Sequence, residues 1–316
     1  MRVLIAYDES DGSQAAIEDL KRAGLGENVE ATIVSVAEVW VPAPETTLEI
    51  ERPFPTYTPP EVRGAHEVAA QAVEKMRSVA NDAKKRLRSV FPSWKVSTEL
   101  LSGSPWWEVI NKANELQANL IVVGSHGRSA LGRFFLGSVS QKILNEADCS
   151  VRVGRKRADA SASAHLLLIG VDGSPGSEVT VREVARREWP STARIHVISA
   201  EDPSVPLAYG GVNEDIEKSV GLSGKGERHW VRKMVDAFAE NLRRAGLTVS
   251  AEVKQGDPKK VLVDEAEHLA ADCIFVGASG LTNRLERFLL GSVSTAVANR
   301  AECSVEVVRP QRKAER

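Results

Sequence analysis

The chain has 316 residues, 42% of them hydrophobic and 27% charged, with a formal net charge of −2. This composition excludes a disordered or membrane-embedded class and fits two globular domains of roughly 150 residues, each able to bury a core without metals or disulfides. The charge balance gives no electrostatic footprint for nucleic acid, and no apolar run approaches the ~18 residues needed to span a bilayer. Cys149, Cys273 and Cys303 form no Cys-x-x-Cys pair, which points to a reducing, cytoplasmic setting. The N-terminal Met-Arg-Val-Leu-Ile-Ala run is too short for a signal peptide.

In chain order, Val3–Ala6, Thr32–Val36, Val96–Leu100, Leu120–Val123 and Ser150–Val153 read as strands, the continuous apolar runs being buried on both faces. After the first strand, Asp11, Ser13 or Asp8 can cap the following helix. Residues 41–64 form a proline-rich insertion, either a lid or an ordinary surface loop. Residues 65–90 then set Val68, Ala69, Ala72, Met76, Val79, Ala83 and Leu87 at helical spacing. Pro105 opens a helix carrying Val109, Ile110, Ala113 and Leu116. Adjacent Trp106 and Trp107 cannot share one helix face, so either one is an exposed contact residue or both are partly buried against a loop. The basic stretch Arg152 to Arg157 reads as a solvated linker.

The pattern then repeats. Val3–Ser13 returns at Leu167–Ser174, Ala31–Val36 at Ala193–Ile198, Gly103-Ser-Pro105 at Gly256-Asp-Pro258, and Ala147–Val153 at Ala301–Val307. This organisation gives a first domain at 1–156, a small, polar linker at 157–164, a second domain at 165–310 and a tail at 311–316. A second insertion covers 201–226. Alternating strands and helices imply an α/β domain with a mostly parallel sheet and right-handed crossovers, in which ligands bind at the carboxyl ends of strands. Asp8, Val36 and Gly124 stand at such ends.

After Leu120–Val123 comes Gly124-Ser-His-Gly127, then nine residues, then Gly137-Ser-Val-Ser140. Glycines let the backbone approach an anion, and free N–H groups at a helix start point at it. Ser138 and Ser140 add hydroxyl donors, Arg128 and Arg133 add charge, and His126 is either a phosphate contact or a solvated side chain. The second copy reads Gly277-Ala-Ser-Gly280, ten residues, Gly291-Ser-Val-Ser294, with Ser279 in place of His126 and charge from Arg284 and Arg287.

The Gly-x2-Gly-x9-Gly-Ser spacing resembles the ATP-binding pattern of the universal stress protein family, and the whole chain resembles a tandem pair of such domains. The resemblance implies two tandem doubly wound, mostly parallel five-stranded sheets with helices on both faces, an adenine nucleotide alpha hydrolase-like fold. It implies ribose and adenine contacts at Asp8 and the backbone of Val36. Gly124, His126, Gly127 and Arg128 would form the first phosphate turn, and Gly137, Ser138, Val139 and Ser140 the helix start. The matching second set is Asp172, Ile198, Gly277, Gly280, Gly291, Ser292, Val293 and Ser294, with a loop one residue longer than the family spacing. The implied ligand is ATP, ADP or AMP, with Mg2+ as an optional companion; Asp8 and Asp11 either hold that ion through water or form no metal site. Further implied contacts are pairing of the halves through Ser150–Val153 and Ser304–Val308, a homodimer, and a regulatory protein partner. Cys149 and Cys303 open these last strands as buried inert thiols or as redox sensors.

No P-loop lysine, protein-kinase signature, Gly-x-Ser-x-Gly elbow, His-Glu-x-x-His helix or Ser-Gly-Gly-x-Asp-Ser turn is present. Slow ATP hydrolysis is therefore the most that is expected of the chain as an enzyme. The leading expectation is a cytoplasmic adenine-nucleotide-binding stress-response or regulatory protein. The alternative is a nucleotide-independent interaction module of the same fold.

Overall fold

A computed structural model describes residues 1–38, 60–127, 136–156, 165–202, 225–278 and 290–310. The expectations for Arg128, Arg133, Ser279, Gly280, Arg284, Arg287, the linker, the tail and most of both insertions lie outside the described residues. The first half runs β1 (Arg2–Ala6), α1 (Asp11–Asp19), a 3-10 turn (Leu20–Arg22), β2 (Glu30–Ala37), α2 (Pro60–Val90), β3 (Lys95–Ser102), α3 (Pro105–Glu115), β4 (Leu120–Gly124), α4 (Ser138–Glu146) and β5 (Ser150–Gly154). The second runs β6 (Leu166–Gly170), α5 (Pro175–Arg186), β7 (Arg194–Glu201), α6 (Lys225–Arg244), β8 (Thr248–Gln255), α7 (Pro258–His268), β9 (Cys273–Gly277), α8 (Ser292–Arg300) and β10 (Ser304–Val308). Helix α2 starts at Pro60, inside the segment expected as a loop. Proline is tolerated in a first helical turn, where its missing N–H would have had no partner.

The strands form one sheet in the order β3-β2-β1-β4-β5-β10-β9-β6-β7-β8. Each half is parallel, and the two five-stranded sheets fuse where β5 and β10 pair antiparallel. Strand order reverses between β1 and β4 and between β6 and β9, creating a switch point in each half. Alternating side chains send Val3 and Ile5 to a core with Ile17, Leu20, Val79 and Leu87 on one face. On the other face Leu4, Ile121, Ile143 and Val151 belong to a core that continues across β5–β10 to Leu168, Ile274, Val297 and Val305. Trp106 packs against this core with the Lys142 ammonium 4.7 Å from its ring centroid, whereas Trp107 is 50% exposed. Among the described residues no helix is long and apolar enough to cross a membrane.

At the seam Arg152 faces Glu306 in register, and both are fully buried. Arg152 Nε donates to Asp19 Oδ2 at 2.6 Å and its Nη1 donates to Glu306 Oε2 at 3.0 Å. Arg187 Nη1 also donates to Glu306 Oε2, at 2.9 Å, and its Nη2 pairs with Glu306 Oε1 and with Glu183. Both guanidinium groups lie over the Phe275 ring, 5.9 and 5.3 Å from its centroid. The expectation of a solvated linker from Arg152 is thus overturned: a mid-strand arginine is buried because carboxylates from α1 and β10 meet it. Arg155 and Arg309 complete a symmetric pair of ties. The Arg155 N–H donates to Ser304 Oγ and the Arg309 N–H to Ser150 Oγ, and each guanidinium donates to a carbonyl of the opposite half, at Ala298 of α8 and Leu144 of α4. A cation near a helix C-terminus is favourably placed in the helix dipole.

Burial pushes the Cys149 thiol up to about 11 and the Cys303 thiol up to about 12, and holds Cys273 well above the usual thiol value. Thiols held this far from the thiolate form are poor nucleophiles. Burial alone would also raise the Glu306 carboxyl, but Arg187 and Arg152 outweigh it and hold the group below the usual carboxylate range. A carboxyl depressed on folding contributes stability above its unfolded pKa and loses it as pH falls through the folded value. Urea denaturation at decreasing pH should therefore show an acid-labile component that Glu306→Gln removes. At neutral pH Arg152→Met should lower the unfolding free energy by about 3–5 kcal/mol, as expected when one side of a buried ion pair is deleted.

Candidate functional site

The site is built at the first switch point. Beyond β1, the Tyr7 N–H donates to the Val34 carbonyl at 2.9 Å and leads into Asp8. Asp8 Oδ1 accepts from the Ser10 N–H at 3.1 Å and lies 2.5 Å from Ser10 Oγ. Ser10 Oγ accepts from the Ser13 N–H, so the cap of α1 is Ser10 rather than Asp8, Asp11 or Ser13. The turn needs a left-handed residue, Glu9 at φ +67° here and Gly173 at φ +78° in the second half. There Asp172 Oδ1 accepts from the Ser174 N–H at 3.0 Å and from Ser177 Oγ at 2.6 Å.

Strand β4 then delivers Gly124 against the start of α1. A Cβ on Gly124 would lie 2.4 Å from the Gly12 carbonyl carbon, and one on Gly12 would lie 2.1 Å from the His126 oxygen. This backbone-on-backbone contact requires glycine on both sides. A Cβ on Gly277 would likewise lie 2.8 Å from the Gly176 carbonyl carbon. A Cβ on Gly127 would sit 3.3 Å from Asp8 Oδ2, which places the carboxylate beside the glycine turn. The Gly137 N–H donates to the Ser125 carbonyl at 2.8 Å, and a Cβ on Gly137 would be 3.5 Å from the Gly127 nitrogen. Asp8, Gly124, His126, Gly127 and Gly137 thus share one crevice.

Helices α4 and α8 start at Gly137 (φ −60°, ψ 151°) and Gly291 (φ −65°, ψ 152°), with no side-chain cap. Helices α1, α5 and α7 are instead capped by Ser10, Ser174 and Asp257. The first-turn N–H groups at Ser138 and Val139, and at Ser292 and Val293, therefore have no side-chain acceptor among the described residues and can receive an anion. Ser140 and Ser294 differ from the expected phosphate donors. The buried Ser140 Oγ donates to the Gly124 carbonyl at 2.7 Å and Ser294 Oγ to the Gly277 carbonyl at 2.6 Å, so these hydroxyls tie helix to strand. Ser138 and Ser292 are exposed.

His126 is neither solvated at its tip nor paired there. Its Nδ1 is 3.0 Å from Ser125 Oγ, while its Nε2 is buried without a hydrogen-bond partner among the described residues. Val36 lies near the carboxyl end of β2 opposite Leu101. The proposed match of Val36 to Ile198 is corrected by the register. The Val171 N–H donates to the Ile198 carbonyl as that of Tyr7 does to Val34, so Ile198 corresponds to Val34 and Ala200 to Val36. A two-residue slip preserves which face each side chain occupies, so hydrophobic alternation alone could not detect it. Ser10, Gly12 and Ser125 were missed as site residues, although Ser10, Gly12 and Ser13 return as Ser174, Gly176 and Ser177.

Two α/β domains in one chain, each with a glycine–serine turn at the switch point of a parallel sheet, define the class. The model of the Universal stress protein family matches residues 1–155 and again residues 165–309. The chain belongs to the universal stress protein family and carries two of its domains in tandem. A universal stress protein of Mycolicibacterium smegmatis is 28% identical over 314 residues, covering 98% of this chain and 97% of its own length. One of Mycobacterium tuberculosis is 32% identical over 250 residues, 76% of this chain and 78% of that protein. The crystal structure of a universal stress protein from Archaeoglobus fulgidus shares the fold at a TM-score of 0.62 and 19% identity, covering 98% and 96% of the two chains. Because a Cβ at Gly12 would strike the His126 carbonyl, Gly12→Ala should lose about 1–3 kcal/mol of stability, the usual range for overpacking, in urea denaturation.

Proposed function

We propose that this stress protein binds an adenine nucleotide in the crevice of its first half, and that occupancy acts by changing conformation or partner binding rather than by rapid turnover. The observation that carries this reading is the convergence of the uncapped start of α4, the backbone at Gly127 and Gly137, and the Asp8 carboxylate. Phosphate oxygens would take the free N–H groups, and the dipole of α4 favours their charge. Asp8 Oδ2 would accept from ribose hydroxyls, and the unpartnered His126 Nε2 offers a further polar contact. Mg2+, when present, would ride on the phosphates, since Asp8 Oδ1 is already held by Ser10. The second crevice, from Asp172, Gly277, Gly291, Ser292 and Val293, with the backbone of Ala200 in place of Ile198, takes a second nucleotide. The domains are assigned to 1–156 and 165–310, in a cytoplasmic protein that signals to a protein partner.

Protein purified without added ligand and then denatured should release at least one adenine nucleotide per chain on chromatography, and two if both crevices are filled. Gly137→Val should abolish the first-half share and Gly291→Val the second. No released nucleotide, together with no ATP binding by titration, would overturn the reading in favour of a nucleotide-independent interaction module.

A further inference from the structure

Away from both crevices, β7, β8 and α7 bring together His196, Glu252 and Glu265. His196 stands opposite Ser250 in the β7–β8 register, with its Nδ1 2.8 Å from Ser250 Oγ. Ser250 Oγ donates in turn to the Ile195 carbonyl at 3.4 Å. A hydroxyl that donates to the Ile195 carbonyl can accept from Nδ1–H, the tautomer that leaves the Nε2 lone pair for a ligand. Among the described residues Nε2 is buried with no hydrogen-bond partner, on a side chain only 10% exposed. It lies 3.7 Å from Glu252 Oε2 and 3.9 Å from Glu265 Oε1, and the three ligand atoms fall within 4.8 Å of one another.

Three acceptors therefore converge. Their separations are too long for hydrogen bonds and wider than the edge of a tetrahedral zinc shell, where two ligands about 2.1 Å from the ion lie about 3.4 Å apart, so the carboxylates must draw in by rotamer adjustment to close on an ion. One imidazole with two carboxylates suits a first-row transition ion better than Ca2+ or Mg2+, which prefer all-oxygen shells. The Ser250–His196 contact is the outer hydrogen bond that fixes the tautomer of a ligating imidazole.

The first half provides an internal control. Strand registers, and the matched helix starts Pro105 and Pro258, equate His196, Ser250, Glu252, Lys254 and Glu265 with Thr32, Ser97, Glu99, Leu101 and Lys112. There Thr32 Oγ1 is 3.1 Å from Ser97 Oγ, and the Lys112 ammonium lies 3.9 Å from Glu99. In the second half the helix cation has become a carboxylate and the threonine a histidine. The balancing charge comes from Lys254, whose ammonium binds Glu265 and lies 3.9 Å from Glu252. Lys254 holds the place of a cation, and with its side chain 34% exposed its stem can turn into solvent.

We propose that His196 Nε2, Glu252 and Glu265 form a divalent transition-metal site of the zinc type, completed by water once Lys254 swings away. Bound metal would brace the edge strand β8 and helix α7 onto β7, stabilising the second half by linkage.

The test uses the full chain, stripped with EDTA and held reduced, titrated with Zn2+ against a chromophoric chelator. One Zn2+ per chain should bind and raise the melting temperature, and Mg2+ or Ca2+ should not displace it. Ser250→Ala should weaken binding by about 10–100-fold, as loss of an outer-shell partner does, and His196→Gln should abolish it. Lys254→Met removes the competing cation and should tighten binding, a gain that a misfolded variant would not show. Substituted Co2+ should give visible ligand-field bands without thiolate charge transfer. Absence of stoichiometric Zn2+, binding unchanged by both His196→Gln and Lys254→Met, or a thiolate charge-transfer band would overturn the proposal.

Discussion

The rest of the structure depends on the contact between Arg152 and Glu306. These residues hold the same place in the repeated Cys-Ser-Val-x-Val strand, and they meet in register on the pseudo-two-fold axis of the sheet. Val151, Val153, Val305 and Val307 around them supply the apolar burial. A buried ion pair contributes little net stability beside such burial, because desolvation offsets its attraction. Its consequence is selectivity. Pairing the first half with a copy of itself would set arginine against arginine, and pairing the second with itself would set glutamate against glutamate, so only the mixed pairing neutralises the axis. The charge pattern thus favours the intramolecular seam over exchange of either half for its own duplicate.

The seam and the first crevice are joined by a single short element. Helix α1 begins at the Ser10 cap and Gly12, against the glycine turn, and ends at Asp19, which holds Arg152. A Cβ on Gly154 would lie 2.4 Å from Ala16 Cα, so the middle of α1 rests directly on β5. In the second half α5 starts at the Ser174 cap, and Arg187, which follows its last turn, holds Glu306. A shift of either helix start therefore strains an ion pair that both halves share. Glycine contacts thus hold one end of α1 and buried charges the other.

Much of the architecture was legible because it rests on patterns that local sequence carries. The continuous apolar run of β4 announces a strand covered on both faces, and the glycine–serine turns mark where backbone must approach backbone. The charged seam was not legible, because a basic stretch looks the same whether water or carboxylates surround it. Asp19 lies 133 residues from Arg152, and only the folded sheet brings them together. The equivalence of Val36 with Ala200 was hidden by the period of a strand, and the role of Ser140 by a carbonyl, Gly124, that sequence cannot aim. The start of α2 at Pro60 was obscured because proline marks both loops and first helical turns.

The two copies keep the residues that shape the backbone and differ in those that set charge. Gly124 and Gly277 closely approach Gly12 and Gly176 respectively, and Ser140 and Ser294 make the same bond to the strand-end carbonyl. The departures fall where a side chain faces another element: Arg152 against Glu306 at the axis, and Thr32 and Lys112 against His196 and Glu265 beneath α3 and α7. A backbone contact admits glycine alone, so both copies meet the same requirement. A charged position needs only a complementary neighbour, so each copy can settle on a different solution. That freedom lets one fold, used twice in a chain, present two similar crevices while the surroundings of each half become chemically distinct.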